Sequence, residues 1–93
     1  MLKFKEVTHN FYTTLETYID DKKVGRVDFD YNKYFDELKL IMVYVEKPYR
    51  RQKIATQMLK YLQDKYGDII WNGKTKDGES LYKSFYSDLN QYL

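Results

Sequence analysis

A chain of 93 residues, 43% hydrophobic and 18% aromatic with few Gly or Pro, is long enough for one hydrophobic core and too short for two. It has no cysteine for disulfide staples, and no apolar run approaches the roughly 18 residues of a membrane span. A net charge of +2, from 16 basic and 14 acidic residues, provides no broad field for nonspecific nucleic-acid binding. Residues 1–93 are therefore expected to form a single domain. The start Met1-Leu2-Lys3-Phe4-Lys5-Glu6 lacks a signal-peptide core, so cytoplasmic residence is the expectation. A domain this small buries only about 60 to 65% of its unfolded surface. Core packing must carry its stability, helped by a bound ligand or by a second copy, as in a homodimer.

The first half reads as strands. A strand around Leu2 to Val7 precedes Phe11 to Ile19, where apolar and polar residues alternate, and Asp20-Asp21-Lys22-Lys23 forms a polar turn. Val27, Phe29 and Tyr31 then alternate with Asp28 and Asp30, which predicts a strand with an exposed acidic face. After a turn at Asn32 to Asp36, Leu38 to Val45 carries apolar residues on both faces, as a central strand covered on both sides would. These strands make an antiparallel meander.

Past Pro48, Ile54, Ala55, Met58, Leu59, Leu62 and Tyr66 recur at helical spacing over about four turns, and Gly67 is a natural stop. Asp68 to Asn72 is short and β-branched, which predicts a strand parallel to its predecessor because a helix joins the two. Trp71 is expected to anchor the sheet core. Beyond the Asn72-Gly73 turn, Leu81, Phe85 and Leu89 mark a last helix, with Asp77, Glu79 and Ser80 near its start. The fold class is α+β with a mixed sheet.

The segment Val43 to Leu59, VYVEKPYRRQKIATQML, is unusual at the point where its helix begins. Ser, Thr, Asp or Asn normally caps the free amides of a first turn, whereas the residues before Ile54 are Pro48, Tyr49, Arg50, Arg51, Gln52 and Lys53. Cations at the positive end of a helix dipole cost about 0.3 to 1 kcal/mol each. The residues alone leave two readings open: a solvated terminus with its cations in water, or a cradle for a diphosphate.

This segment resembles motif A of the GNAT family of N-acetyltransferases, in which a strand runs into an Arg/Gln-x-x-Gly-x-Gly/Ala loop that opens a helix. The matching residues are Arg50, Arg51, Gln52, Lys53, Ile54 and Ala55, followed by Thr56 and the Met58-Leu59 pair. The resemblance implies acetyl-CoA as cosubstrate, no metal, and an amine acceptor that could be a protein lysine, a peptide or a small amine. It implies a GNAT-like fold, an antiparallel meander followed by β-α-β-α with the last two strands parallel. The helical insertion that usually follows the first strand is missing, which leaves the acceptor side open or completed by another chain. Lys53 stands where the family usually has its first glycine. Its Cβ favours ordinary helical angles, so the loop is expected to be helical at that residue.

By the same resemblance, the backbone of Val43, Tyr44 and Val45 would hold the acetyl carbonyl and pantetheine, and Arg50 to Thr56 would hold the pyrophosphate. Tyr86 would be the general acid to the thiolate, with Tyr82 as the runner-up. Glu37 and Glu46, at the two ends of the central strand, are the nearest acids, and Glu37 is the candidate base. The position where the family sometimes places a catalytic Glu is Lys39, and Glu79 replaces an Asn common in the family. His9 is the only histidine, so no His-based metal site or triad is assembled, and a surface turn is expected for it. Two other functions compete: a noncatalytic GNAT-like domain that binds a protein partner, and a small nucleic-acid-binding domain built on Lys47, Tyr49, Arg50, Arg51, Lys53 and Lys60.

Overall fold

The computed structural model describes residues 2–71. The expected Asn72-Gly73 turn and the helix of Leu81, Phe85 and Leu89 lie outside the described residues. Within them the order is β1 (Leu2–Thr8), β2 (Thr13–Ile19), β3 (Lys22–Asn32), β4 (Glu37–Val45), a short 3₁₀ turn (Lys47–Tyr49), α1 (Ile54–Tyr66) and β5 (Ile69–Ile70). The five strands lie side by side in chain order. The first three pairings are antiparallel and β4–β5 is parallel, as the helical crossover requires. No helix among the described residues is long and apolar enough to cross a membrane.

Turn chemistry sets the meander. Asp20 and Asp21 both adopt left-handed φ, 49° and 68°, the pattern of a two-residue hairpin turn whose twist matches that of the strands. Leu15, Val27, Phe29 and Leu38 then meet Ile54, Met58, Leu59 and Leu62 of α1 in one buried core. Gly25 serves this seating: a Cβ there would come within 3.2 Å of Met58 Cε and 3.1 Å of the Tyr44 carbonyl oxygen. Trp71, expected as a core anchor, is half-buried and packs against the core's margin.

Two expectations about faces are corrected. Asp28 does not belong to an exposed acidic face; it is 8% exposed and accepts a 2.7 Å hydrogen bond from Thr14 Oγ1, its directly opposite neighbour on β2. Because that hydroxyl proton is committed to Asp28, His9 Nε2, 3.1 Å from Thr14 Oγ1, is the donor in its own bond. His9 is exposed, as its place in a turn implies. Nor do the described elements cover β4 on both sides. Helix α1 covers one face, and Ile41, Met42 and Tyr44 remain 58%, 37% and 41% exposed.

The outer strand is tied to the helix by one carboxylate. Glu6 on β1 accepts hydrogen bonds from Tyr61 at 3.1 Å, from Tyr66 and from the Lys65 ammonium, all on the last turns of α1. Partial burial is the largest single influence on Glu6 and opposes its ionisation, but the three donors together outweigh it and hold the carboxyl below its usual 4.5. Burial and the Glu6 carboxylate push the Tyr66 hydroxyl up to about 12. A lowered acid contributes stability that is complete above its unfolded pKa and disappears as pH falls through the folded value. Glu6→Gln is therefore expected to lose about 1 to 2 kcal/mol at pH 7 and to flatten the decline in stability below pH 4.5, as urea titrations across that range will read.

Candidate functional site

The site is built where β4 hands over to α1. Glu46 N–H closes the sheet by bonding the Val24 carbonyl at 2.8 Å. Pro48 at the start of the following 3₁₀ turn fixes φ, and Tyr49 N–H returns to the Glu46 carbonyl at 2.8 Å. The Gln52 side-chain amide reaches back to the Pro48 carbonyl at 3.3 Å, so the loop is braced on its own backbone. Arg51 and Lys53 then take left-handed φ, 65° and 61°, with an extended Arg50 before them.

Lys53 therefore does not continue the helix backward, which corrects the helical path expected for it. It is the N-cap of α1, at φ 61° and ψ 23°, and its carbonyl accepts the first helical hydrogen bond, from Gln57 N–H at 3.0 Å. The chain keeps a glycine-like path without glycine. A residue with a Cβ held in this conformation costs about 1 to 2 kcal/mol. The surrounding turn imposes it because Ile54, 4% exposed, must enter the core immediately afterwards.

The N-cap side chain makes no capping hydrogen bond to the first turn, and no acidic residue lies in that turn. Its amides, those of Ile54, Ala55 and Thr56, open on the exposed stretch Arg51-Gln52-Lys53. Left-handed residues alternating along a loop that ends at a helix N-terminus turn successive amides toward one point, and that point favours negative charge. The residues expected from sequence to hold a pyrophosphate thus stand together, though in different ways. Ile54 offers only its backbone, since its side chain is core, and Ala55 and Thr56 are half-buried. Arg50 turns away from the helix end: its Nε donates to the Val45 carbonyl at 2.9 Å and its guanidinium lies 5.7 Å from the centre of the Tyr44 ring.

That bond also identifies the open edge of β4. Backbone groups of successive strand residues point to alternate edges. Since Glu46 N–H faces β3, Val45 and Val43 direct theirs to the opposite edge, and Tyr44 directs its own to β3. Strand β5 pairs with β4 only at Leu38–Ile69 and Lys39–Ile70. Beyond Lys39 that edge of β4 has no strand neighbour among the described residues.

Glu37 is not brought to this place. It begins β4, eight residues before Val45, a separation of roughly 26 Å along an extended strand. Glu46, half-buried at the strand's other end, is the acid beside the loop. Tyr86 and Tyr82 lie outside the described residues. Sequence reasoning passed over Gly25, whose missing side chain admits Met58; an isolated glycine inside a strand pattern is the signal that marks such a close approach.

The model of the Acetyltransferase (GNAT) family matches residues 2–80. The chain belongs to this family. No curated protein matches it closely enough to report a relative. Among solved structures, the GNAT chain is similar to a ribosomal-protein-alanine N-acetyltransferase from Brucella melitensis biovar Abortus 2308, at 23% identity and a TM-score of 0.67 over 78% of this chain and 60% of that one. It is also similar to an aminoglycoside acetyltransferase from an uncultured soil metagenomic sample, at 24% identity and a TM-score of 0.61 over 87% and 59% of the two chains. A GNAT family protein from Streptococcus pneumoniae TIGR4 matches at 14% identity with a TM-score of 0.68, over 90% and 85%. This chain spans about 60% of the length of the first two. At these identities the likeness shows the fold.

The left-handed N-cap of this GNAT domain yields a direct test. Lys53→Gly relieves the strain but adds freedom to the unfolded chain, so its stability is expected within about 1 kcal/mol of wild type. Lys53→Val places a β-branched residue in the same conformation and is expected to fall about 1 to 2 kcal/mol below the glycine variant in urea denaturation.

Proposed function

We propose that this GNAT domain is an acetyl-CoA-dependent N-acetyltransferase whose pyrophosphate cradle is the loop Arg50 to Thr56. The observation that carries this reading is the pair of left-handed residues, Arg51 and Lys53, opening an uncapped 13-residue helix. The residues fit the group: oriented amides and exposed cations for the phosphates, and at Val43 and Val45 a strand edge with no strand neighbour among the described residues for an extended amide-bearing arm. Bound acetyl-CoA would supply the acetyl group as a thioester.

The chain's own residues bind, orient and handle protons. The backbone N–H and C=O of Val43 and the N–H of Val45 would hold the arm, the Val45 carbonyl already accepting from Arg50 Nε. Arg51 and Lys53 add charge at the helix end. An acceptor amine must lose one proton before it attacks, and the departing sulfur must gain one. Tyr86 is proposed as the donor to sulfur. The distance of Glu37 from the loop supports ordered water or Glu46 as the route for the amine's proton instead. The acceptor is an amine, with a protein lysine, a peptide and a small amine all within the reading.

Calorimetry with CoA provides the test. Binding is expected to weaken as salt rises, and Arg51→Ala is expected to cost about tenfold in affinity, near 1.4 kcal/mol, while Glu37→Gln leaves affinity unchanged. Tyr86→Phe should lower turnover without changing CoA affinity. No CoA binding at any salt concentration sinks the proposal. CoA binding without turnover on a broad amine panel points to a binding module, and oligonucleotide binding that CoA cannot displace points to the nucleic-acid reading.

A further inference from the structure

The side of the sheet away from α1 carries a depression of about 350 Å³ between β3 and β4, lined by Lys23, Gly25, Arg26, Met42, Tyr44 and Glu46. It adjoins the strand whose far edge is open. Its floor is apolar and accessible, with Met42 and Tyr44 37% and 41% exposed. The register sets Arg26 directly opposite Tyr44, and Met42 and Glu46 are the diagonal neighbours of Arg26 on the same face, about 7 to 8 Å away.

The charges of this patch are not equivalent. Arg26 is also opposite Glu16 on β2, but both Glu16 oxygens are engaged, Oε2 by Lys23 Nζ at 2.7 Å and Oε1 by the Tyr18 hydroxyl at 2.9 Å. Glu16 thus offsets Lys23. Neither Arg26 nor Glu46 has an ion-pair partner within 4.0 Å among the described residues. Arg50 brings a further guanidinium to the Tyr44 ring, at 5.7 Å. Among the described residues, one carboxylate and two cations not offset by an ion pair therefore surround an apolar floor.

We infer that this depression is the acceptor pocket and that it selects a small amine carrying a carboxylate nearby, an amino acid or short peptide, with Arg26 as the specificity-determining residue. The inference rests on the acetyl-transfer reading and adds to it the class of acceptor. Arg26 pairs with the acceptor's carboxylate, bidentate geometry favouring a planar anion. Glu46 at the rim attracts the ammonium. A polycationic amine would meet Arg26 and Arg50, which among the described residues have only Glu46 at the depression to offset them, so the same charges act against it. In the transfer the ammonium first releases one proton to water, the neutral amine nitrogen forms a bond to the acetyl carbonyl carbon and gives up a second proton, the carbon–sulfur bond breaks, and the thiolate takes up one proton. The acceptor's carboxylate is unchanged.

Carbon-13 labelling of the methionine methyls gives a readout independent of turnover. Met42 lines the depression, whereas Met58 is fully buried in the core on the other side of the sheet and serves as the internal control. Glycylglycine is expected to shift the Met42 methyl and leave that of Met58 in place, and spermidine is expected to move neither. Arg26→Gln should weaken the glycylglycine response at least fivefold, with Arg26→Lys recovering part of it. A still Met42 methyl at millimolar glycylglycine, an equal response to spermidine, or an unaltered response in Arg26→Gln overturns the inference. Calorimetry with CoA on the same sample separates the two proposals: CoA binding with a silent Met42 removes the pocket alone, and a Met42 response without CoA binding removes the transfer reading alone.

Discussion

The turn from β4 into α1 is the constraint on which the rest of the structure depends. Ile54 must enter the core directly after a loop that has left the sheet at Glu46, and the backbone makes that reversal through left-handed residues at Arg51 and Lys53. The turn leaves the first amides of α1 without a side-chain cap. Backbone strain and first-turn amides that the N-cap side chain does not cap are thus concentrated in one place, and both are the kind of feature that an anion offsets. A helix begun with an ordinary Ser or Asp cap would be more stable alone and would have no such cradle.

The opposite end of the helix carries the compensating interactions. Glu6, Tyr61, Lys65 and Tyr66 join β1 to the last turns of α1, and Phe4 packs on Tyr61 with ring centroids 4.9 Å apart. Gly25 lets Met58 approach β3. With its C-terminal half anchored and its middle seated, α1 projects its first turn toward the open edge of β4. The short pairing of β5, two residues beside Leu38 and Lys39, leaves the rest of that edge without a strand neighbour among the described residues.

Much of this was legible in the sequence, and what was not has identifiable causes. Alternation along Phe11 to Ile19 and the helical spacing from Ile54 to Tyr66 are local patterns; the helix falls where its pattern places it, whereas the strand begins only at Thr13, with Phe11 87% exposed before it. The weak helix start was visible as the absence of a capping residue beside a row of cations. Asp28 was misplaced because its environment depends on Thr14, a partner fourteen residues away that periodicity does not identify. The exposure of Ile41, Met42 and Tyr44 depends on which face α1 covers, a tertiary fact. Lys53 was expected to be helical because propensity opposes a left-handed lysine, and the loop's closure overrides propensity there. Arg50 was grouped with the phosphate cations by its position in the motif, whereas its guanidinium turns back to Val45 and Tyr44.

The central claim is that backbone amides at this turn, and not a diffuse basic patch, receive the diphosphate. The most direct measurement is a nitrogen-15 amide NMR titration of the chain with CoA. The account predicts the largest shifts at the amides of Arg51 through Thr56, with a second group at Val43 and Val45 on the open edge and little change at Tyr44 N–H. Shifts spread evenly over the exposed lysines, with the amides of Ile54, Ala55 and Thr56 unmoved at saturation, would contradict it.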